Sequence, residues 1–193
     1  MERKALQDYF IQSGHISQEV AEVITGSFAF KSIHKGALFL EAGKVAQEYL
    51  FLEKGFMRSY LYDTEGNEIT LNIYSSNDVV FEVASFFQRI PSQEYFEATS
   101  PCTGWVLTYE TLNHLFHTIP EFREFGRLVL VKGFISFKLR TLSLINKTAE
   151  ERYEILLQTR PEIFEHLPLK HIAAYLGITD TSLSRIRRNY IKK

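Results

Sequence analysis

The chain has 193 residues, 45% of them apolar, with 16 Phe, 10 Tyr and a formal charge of −1; that length holds one large domain or two small ones, with ample material for a core. Its single cysteine, Cys102, excludes an intrachain disulfide framework and a cysteine-held iron–sulfur cluster within one chain. The opening run MERKALQDYFIQSG has no apolar centre of the kind a signal peptide needs, and no run reaches membrane-spanning length, so a cytoplasmic protein without a membrane partner is expected.

Residues 3–12 and 17–25 read as two short helices separated by Gly14. Leu6, Tyr9 and Phe10 would form one apolar face, and Val20, Val23 and Ile24 the other. From Phe28 to Tyr109 the period changes. FAFKSIHK, ALFLEAG, EYLFLEKGFMRSYLYD, NEITLNIYSS, DVVFE, EYFEATSP and TGWVLTY are rich in aromatic and β-branched residues and separated by turn signals, including Lys54-Gly55 and Glu65-Gly66-Asn67. Short strands at this spacing predict an antiparallel sandwich or barrel. In MRSYLY, Met57, Ser59 and Leu61 should face one way and Arg58, Tyr60 and Tyr62 the other. Between strands, residues 82–87 predict one helical turn whose N–H groups suit an anion.

Residues 109–117 predict a short helix. Pro120 then opens a long one of about 25 residues, ~40 Å at ~1.5 Å per residue. Its apolar positions Phe125, Leu128, Val131, Ile135, Leu139 and Leu142 step by three and four, which predicts a seam buried by a second copy of the chain. TAEERYEILLQT, residues 148–159, forms a further helix with Thr148 and Glu151 at capping-box spacing, and Pro161 ends it. The domain break is placed near Asn146-Lys147, giving units 1–146 and 147–193.

The last stretch, LPLKHIAAYLGITDTSLSRIRRNYI, carries the clearest chemistry. Ile172, Ala173 and Leu176 share a buried face, and Gly177 can take the left-handed conformation that stops a helix. Thr179 or Asp180 caps the next helix. That helix turns Leu183 and Ile186 inward and Thr181, Ser182, Ser184, Arg185 and Arg188 outward. A tight turn between two such helices is the layout of a helix-turn-helix, whose second helix enters a major groove of double-stranded DNA. From His166 to Lys193 six Lys or Arg stand against one acid, a local charge of about +5. The bland alternative is a helical hairpin capping a core beneath a solvated basic tail.

The order of β-rich region, long helix and helix-turn-helix resembles the Crp/Fnr family of transcription regulators. GALFLEAGKVAQEYLFLEKGFMRSYLYDTEGNEITL is similar to that family's cyclic-nucleotide-binding β-roll, and PEIFEHLPLKHIAAYLGITDTSLSRIRR to its reader. The resemblance implies an α+β chain: an N-terminal antiparallel β-roll of jelly-roll-like double-stranded β-helix form, a dimerisation helix over about 120–146, and a C-terminal all-α helix-turn-helix domain. It implies a homodimeric, sequence-specific DNA-binding regulator with an effector-sensing roll, and makes RNA polymerase a candidate further partner. DNA contacts are expected from Thr179, Thr181, Ser182, Ser184, Arg185 and Arg188. NDVVFE is similar to the family's ribose-binding run, with Glu82 on the acid and Phe81 in place of its glycine neighbour. Ser92 and Gln93 fall where Arg and Ser/Thr hold the cyclic phosphate. Phe81, Glu82, Ser92 and Gln93 are therefore the expected effector pocket, which departs from the cyclic-nucleotide pattern and holds either a different small molecule or none, and no cofactor is assigned. The alternative is a ligand-binding or protein-interaction module with a degenerate pocket and no DNA-binding role of its own. No catalytic nucleophile–base pair and no metal set stand out. His114 and His117 lack a third ligand, and a metal-dependent barrel enzyme would need His-x-His and Glu on strands, where only His34 is found.

Overall fold

In the computed structural model, which describes residues 3–191, eight strands make two four-stranded antiparallel sheets. The strands are β1 (Ala29–Ile33), β2 (Leu38–Leu40), β3 (Glu48–Lys54), β4 (Met57–Tyr62), β5 (Glu68–Tyr74), β6 (Val79–Val80), β7 (Tyr95–Ala98) and β8 (Cys102–Thr108). One sheet has the order β1-β8-β3-β6 and the other β2-β7-β4-β5. Every connection but the β4–β5 hairpin crosses from one sheet to the other, which rolls the chain into the expected jelly-roll form. Lys192 and Lys193 of the basic tail lie outside the described residues.

Leu50, Phe51, Leu52, Met57, Phe86 and Phe96 are among the fully buried side chains of the roll. Gly104 on β8 permits the close approach of β3, because a Cβ there would stand 2.2 Å from the Phe51 carbonyl oxygen. Helix α1 (Lys4–Ile11) buries Leu6 and Phe10 completely. The Phe10 ring lies 4.9 Å from that of Phe125 and 5.8 Å from that of Phe122, edge on, tying the amino terminus to the long helix. Helix α2 (Gln18–Gly26) is capped by Ser17, which accepts from the Val20 N–H. Its buried stripe is Ala21, Ile24 and Thr25. Val23 is 63% exposed, so the expected 20/23/24 face is rotated by one position.

Helix α3 (Val83–Gln88) lies between β6 and β7, and α4 (Tyr109–Thr118) precedes α5 (Pro120–Asn146), which starts on its proline. Phe122 and Phe125 are buried against the chain's own roll, so the seam predicted from Phe125 onward belongs in its first turns to the intrachain core. From Leu130 to Leu139 every residue of α5 is exposed. Helix α6 (Ala149–Thr159) has the capping box read from Thr148 and Glu151. It is followed by α7 (Ile163–His166), α8 (Leu169–Leu176) and α9 (Asp180–Ile191). These last four helices share a second core of Tyr153, Leu156, Ile163, Leu167, Ile172, Ala173, Leu176, Leu183 and Ile186, and β5 contributes Ile73 to it.

Candidate nucleic-acid interface and effector cavity

Gly177 sits at φ 68°, ψ 36° and ends α8, with its N–H on the Ala174 carbonyl and that of Ile178 on Ala173. Thr179 opens α9: its Oγ1 accepts from the Ser182 N–H at 3.3 Å and lies 3.0 Å from Thr181 Oγ1. Leu183 and Ile186 are buried beneath, as the sequence pattern requires. Thr181, Ser184, Arg185 and Arg188 are exposed. They stand at i, i+3, i+4 and i+7, which puts one hydroxyl-and-guanidinium stripe on one side of the helix. Thr179 is also exposed but serves as the cap, and Ser182 is half-buried at the edge of the stripe.

Two arginines hold the helix beneath this stripe from behind. Arg140 of α5 donates to the Tyr175 carbonyl at 2.9 Å, and Arg152 of α6 donates to the Leu176 carbonyl at 3.0 Å. Both are cations on the unpaired carbonyls at the negative end of α8. The arginine side chain of Arg140 also lies over the Tyr175 ring, 4.5 Å from its centroid.

The same helix is docked on the roll by a buried polar cluster that the sequence reading did not find. Arg58 of β4 is only 3% exposed. It donates from Nε and Nη2 to Glu97 of β7 at 2.9 and 2.7 Å, from Nη2 to Glu68 of β5 at 2.7 Å, and from Nη1 to Nδ1 of His171 on α8 at 2.7 Å. An always-charged guanidinium can only donate, so His171 accepts as the neutral imidazole. Burial, then the neighbouring charges of Arg58 and Lys170, hold the His171 pKa down to about 4, against an opposing pull from Glu68 and Glu97. The alternation predicted for β4 stands, since the Arg58 guanidinium lies 4.0 Å from the Tyr60 ring centre on the same face. A second anchor comes from Arg160, after α6, which donates to the Ile73 carbonyl at 2.9 Å and pairs with Asp78 at 3.1 Å.

Inside the roll, a cavity of about 360 Å³ is lined by Leu38, Phe39, Leu40, Glu41, Lys44, Val45, Ala46, Gln47, Glu48, Glu82 and Phe96. Of the four expected pocket residues, Glu82 is in this lining. Phe81 faces the other way, into an apolar crevice with Tyr49, Phe87, Leu112 and Phe122 beside α5. The reason is side-chain alternation: with Glu82 turned to the cavity, its neighbour turns to the helices. Ser92 is buried but spends its hydroxyl within its own turn, on the backbone of Glu94. Gln93 is exposed. The lining from β2 and residues 44–48 was not among the expected pocket residues, because Lys44, Gln47 and Glu48 lie far in sequence from Glu82 and join it only when the roll closes.

The cavity is poorly matched to a phosphate. The Glu82 carboxylate caps α3, accepting from the Ala84 N–H at 3.1 Å and from that of Ser85, so a built-in anion occupies the donors an incoming one would need. Arg89, the nearest guanidinium by sequence, donates to the Ala46 carbonyl at 2.7 Å and lies over the Tyr109 ring. The lining carries three glutamates against one lysine.

Residues 30–118 match the cyclic nucleotide-binding domain family. Among solved structures, FixK2 of Bradyrhizobium japonicum superposes with a TM-score of 0.73 at 18% identity, covering 86% of this chain and 85% of that one. The c-di-GMP-responsive global regulator CLP of Xanthomonas campestris gives 0.70 at 16% identity, over 93% and 92%. A protein from Eubacterium rectale assigned as a transcriptional regulator of the Crp/Fnr family gives 0.69 at 16%, over 95% and 87%. No curated protein matches the chain in sequence. Among the described residues no helix is long and apolar enough to cross a membrane.

Proposed function

We propose that this chain, a cyclic nucleotide-binding domain over residues 30–118 in a chain with the fold of the Crp/Fnr regulators, is a homodimeric, sequence-specific DNA-binding transcription regulator without catalytic activity. The observation that carries the reading is the exposed stripe Thr181, Ser184, Arg185 and Arg188 on α9, above a buried Leu183–Ile186 base. A helix so presented can enter a major groove, where Arg pairs bidentately with guanine and the hydroxyls meet bases or phosphates. Two copies joined along the exposed apolar length of α5 would place two such helices on half-sites ~34 Å apart.

The cavity is the effector site, and its chemistry supports a neutral or cationic small molecule. A cyclic nucleotide fits badly, because its phosphate would face Glu82 with no free guanidinium to hold it.

The reading is tested by selecting duplexes from a random pool with the full-length protein, then measuring gel-shift affinity against salt. Arg185→Ala should lose ~1–3 kcal/mol on the selected duplex. Wild-type affinity should fall steeply as salt rises, with a slope of about −0.9 per phosphate contacted. Equal, salt-insensitive binding to all duplexes would reject a DNA reader in favour of an interaction module.

A further inference from the structure

We propose that Arg58 couples the effector cavity to the helix-turn-helix through β7, a strand that meets the cavity with one residue and Arg58 with the next. Phe96 of β7 lines the cavity. Adjacent side chains on a strand point to opposite faces, so Glu97 stands outside the roll, directly opposite Arg58 in the β4–β7 register. There one Glu97 oxygen accepts two bonds from the arginine, and the arginine's remaining nitrogen reaches His171 of α8. The edge strand β2 pairs with the same two residues, Leu40 with Phe96 and Leu38 with Glu97, and also lines the cavity.

The coupling rests on the reading that the cavity takes an effector and α9 reads DNA. An occupant that displaces β2 or Phe96 displaces the Glu97 carboxylate by the same backbone shift. The guanidinium is a rigid planar fork. It cannot follow Glu97 and keep both Glu68 and His171, and at 3% exposure it cannot replace a lost partner with water. The shift therefore passes to the first half of α8. Arg140 and Arg152 hold the far end of that helix by its last carbonyls, so α8 pivots there, and the Gly177 turn carries the change of angle into α9. Arg58 is in this sense a positioning residue, since it touches neither ligand nor DNA.

Leu38, half-exposed at the cavity rim, allows an occupant to be built into the full-length protein as Leu38→Trp. Backbone hydrogen exchange over residues 169–177 is then compared with and without Arg58→Met. With Arg58 in place, Leu38→Trp should change exchange over 169–177 by roughly threefold or more, and in the Arg58→Met background by less than about 1.5-fold. Should Arg58→Met fail to fold, His171→Leu severs the same link while leaving the Arg58–Glu97 pair intact. An equal change in the two backgrounds, or none over 169–177 when Arg58 is present, overturns the proposal. No DNA enters this measurement, so a chain that proves unable to bind DNA would end the functional reading while the coupling is judged separately.

Discussion

Arg58 and His171 are 113 residues apart in sequence and 2.7 Å apart in space, and theirs is the one side-chain bond in the buried cluster that joins the roll to α8. It exists only while the imidazole is neutral. Burial is the main force keeping it so, aided by Arg58 on β4 and Lys170 beside it on α8 and opposed by Glu68 on β5 and Glu97 on β7. Because the folded pKa, about 4, lies below the ordinary value of 6.5, the unfolded or undocked chain binds the proton more readily. The stabilisation is whole above pH 6.5 and is lost as pH falls from 6.5 towards 4. Thermal unfolding across that window should therefore decline more steeply in the wild type than in His171→Gln, whose amide oxygen can accept from Arg58 without titrating. Parallel curves would show that His171 is not the group responsible.

The exposed length of α5 predicts its own partner. Phe134 is 67% exposed, Phe137 65% and Leu139 62%. Burying one phenylalanine gains ~1.5–3 kcal/mol, and a two-fold interface counts each side chain twice, so the symmetric pair contributes about 3–6 kcal/mol. Phe134→Glu should forfeit this and bring two like charges together, yet leave the subunit fold intact because the side chain lies outside its core. Sedimentation should report the mass of one chain for the variant and of two for the wild type. Affinity for a duplex with two half-sites should fall much further than affinity for one with a single half-site. A variant that still sediments as a dimer would place the interface elsewhere.

The cavity's chemistry predicts indifference to cyclic nucleotides. A ligand present at one hundred times its Kd would add ~2.7 kcal/mol to stability, which for a chain of this size is a Tm rise on the order of 5–10 °C. Millimolar cyclic AMP should instead leave Tm unchanged. Glu82→Ala should lower stability by ~0.5–2 kcal/mol through loss of the α3 cap. A clear rise with cyclic AMP would show that a phosphate can displace the Glu82 carboxylate.

Local signals in the chain were readable where their cause is local. The Thr148–Glu151 capping box, the helix stop at Gly177 and the strand-rich stretch from Phe28 each depend on residues within a few positions of one another. What was hidden depends on closure over long distances. Alternation in β4 correctly sorts Arg58 from Met57, but it cannot say that a helix from the far end of the chain covers the outer face. Alternation alone therefore left open what the Arg58 face meets, and the structure makes Arg58 one of the most buried polar groups. Phe125 follows the spacing of a dimer seam, yet Phe10 and Phe122 claim it first. Ser92 has a position suited to a ligand contact, but its hydroxyl is used by the turn that holds it. Leu38, Leu40 and Ala46 line the cavity as ordinary apolar residues, and nothing in their order distinguishes a cavity wall from a core.

Gly177 offers a test of the angle between α8 and α9. Its φ of 68° is one that L side chains adopt at a cost, and an added Cβ would stand 3.2 Å from Cδ2 of Leu144 on α5. Gly177→Ala therefore combines left-handed strain with a tight contact, and should lower stability by ~1–2 kcal/mol. Gly177→Asn should suffer less strain, since asparagine enters this conformation more readily. Leu144 is exposed and its Cδ2 ends a flexible side chain, so it can relieve the contact by itself, and the left-handed strain at the turn is what acts on the angle between α8 and α9. The expected signature is a loss of affinity on the selected duplex larger than the loss of stability explains. If Ala, Asn and Gly at this position bind the duplex alike, the turn's conformation does not set how α9 is presented to DNA.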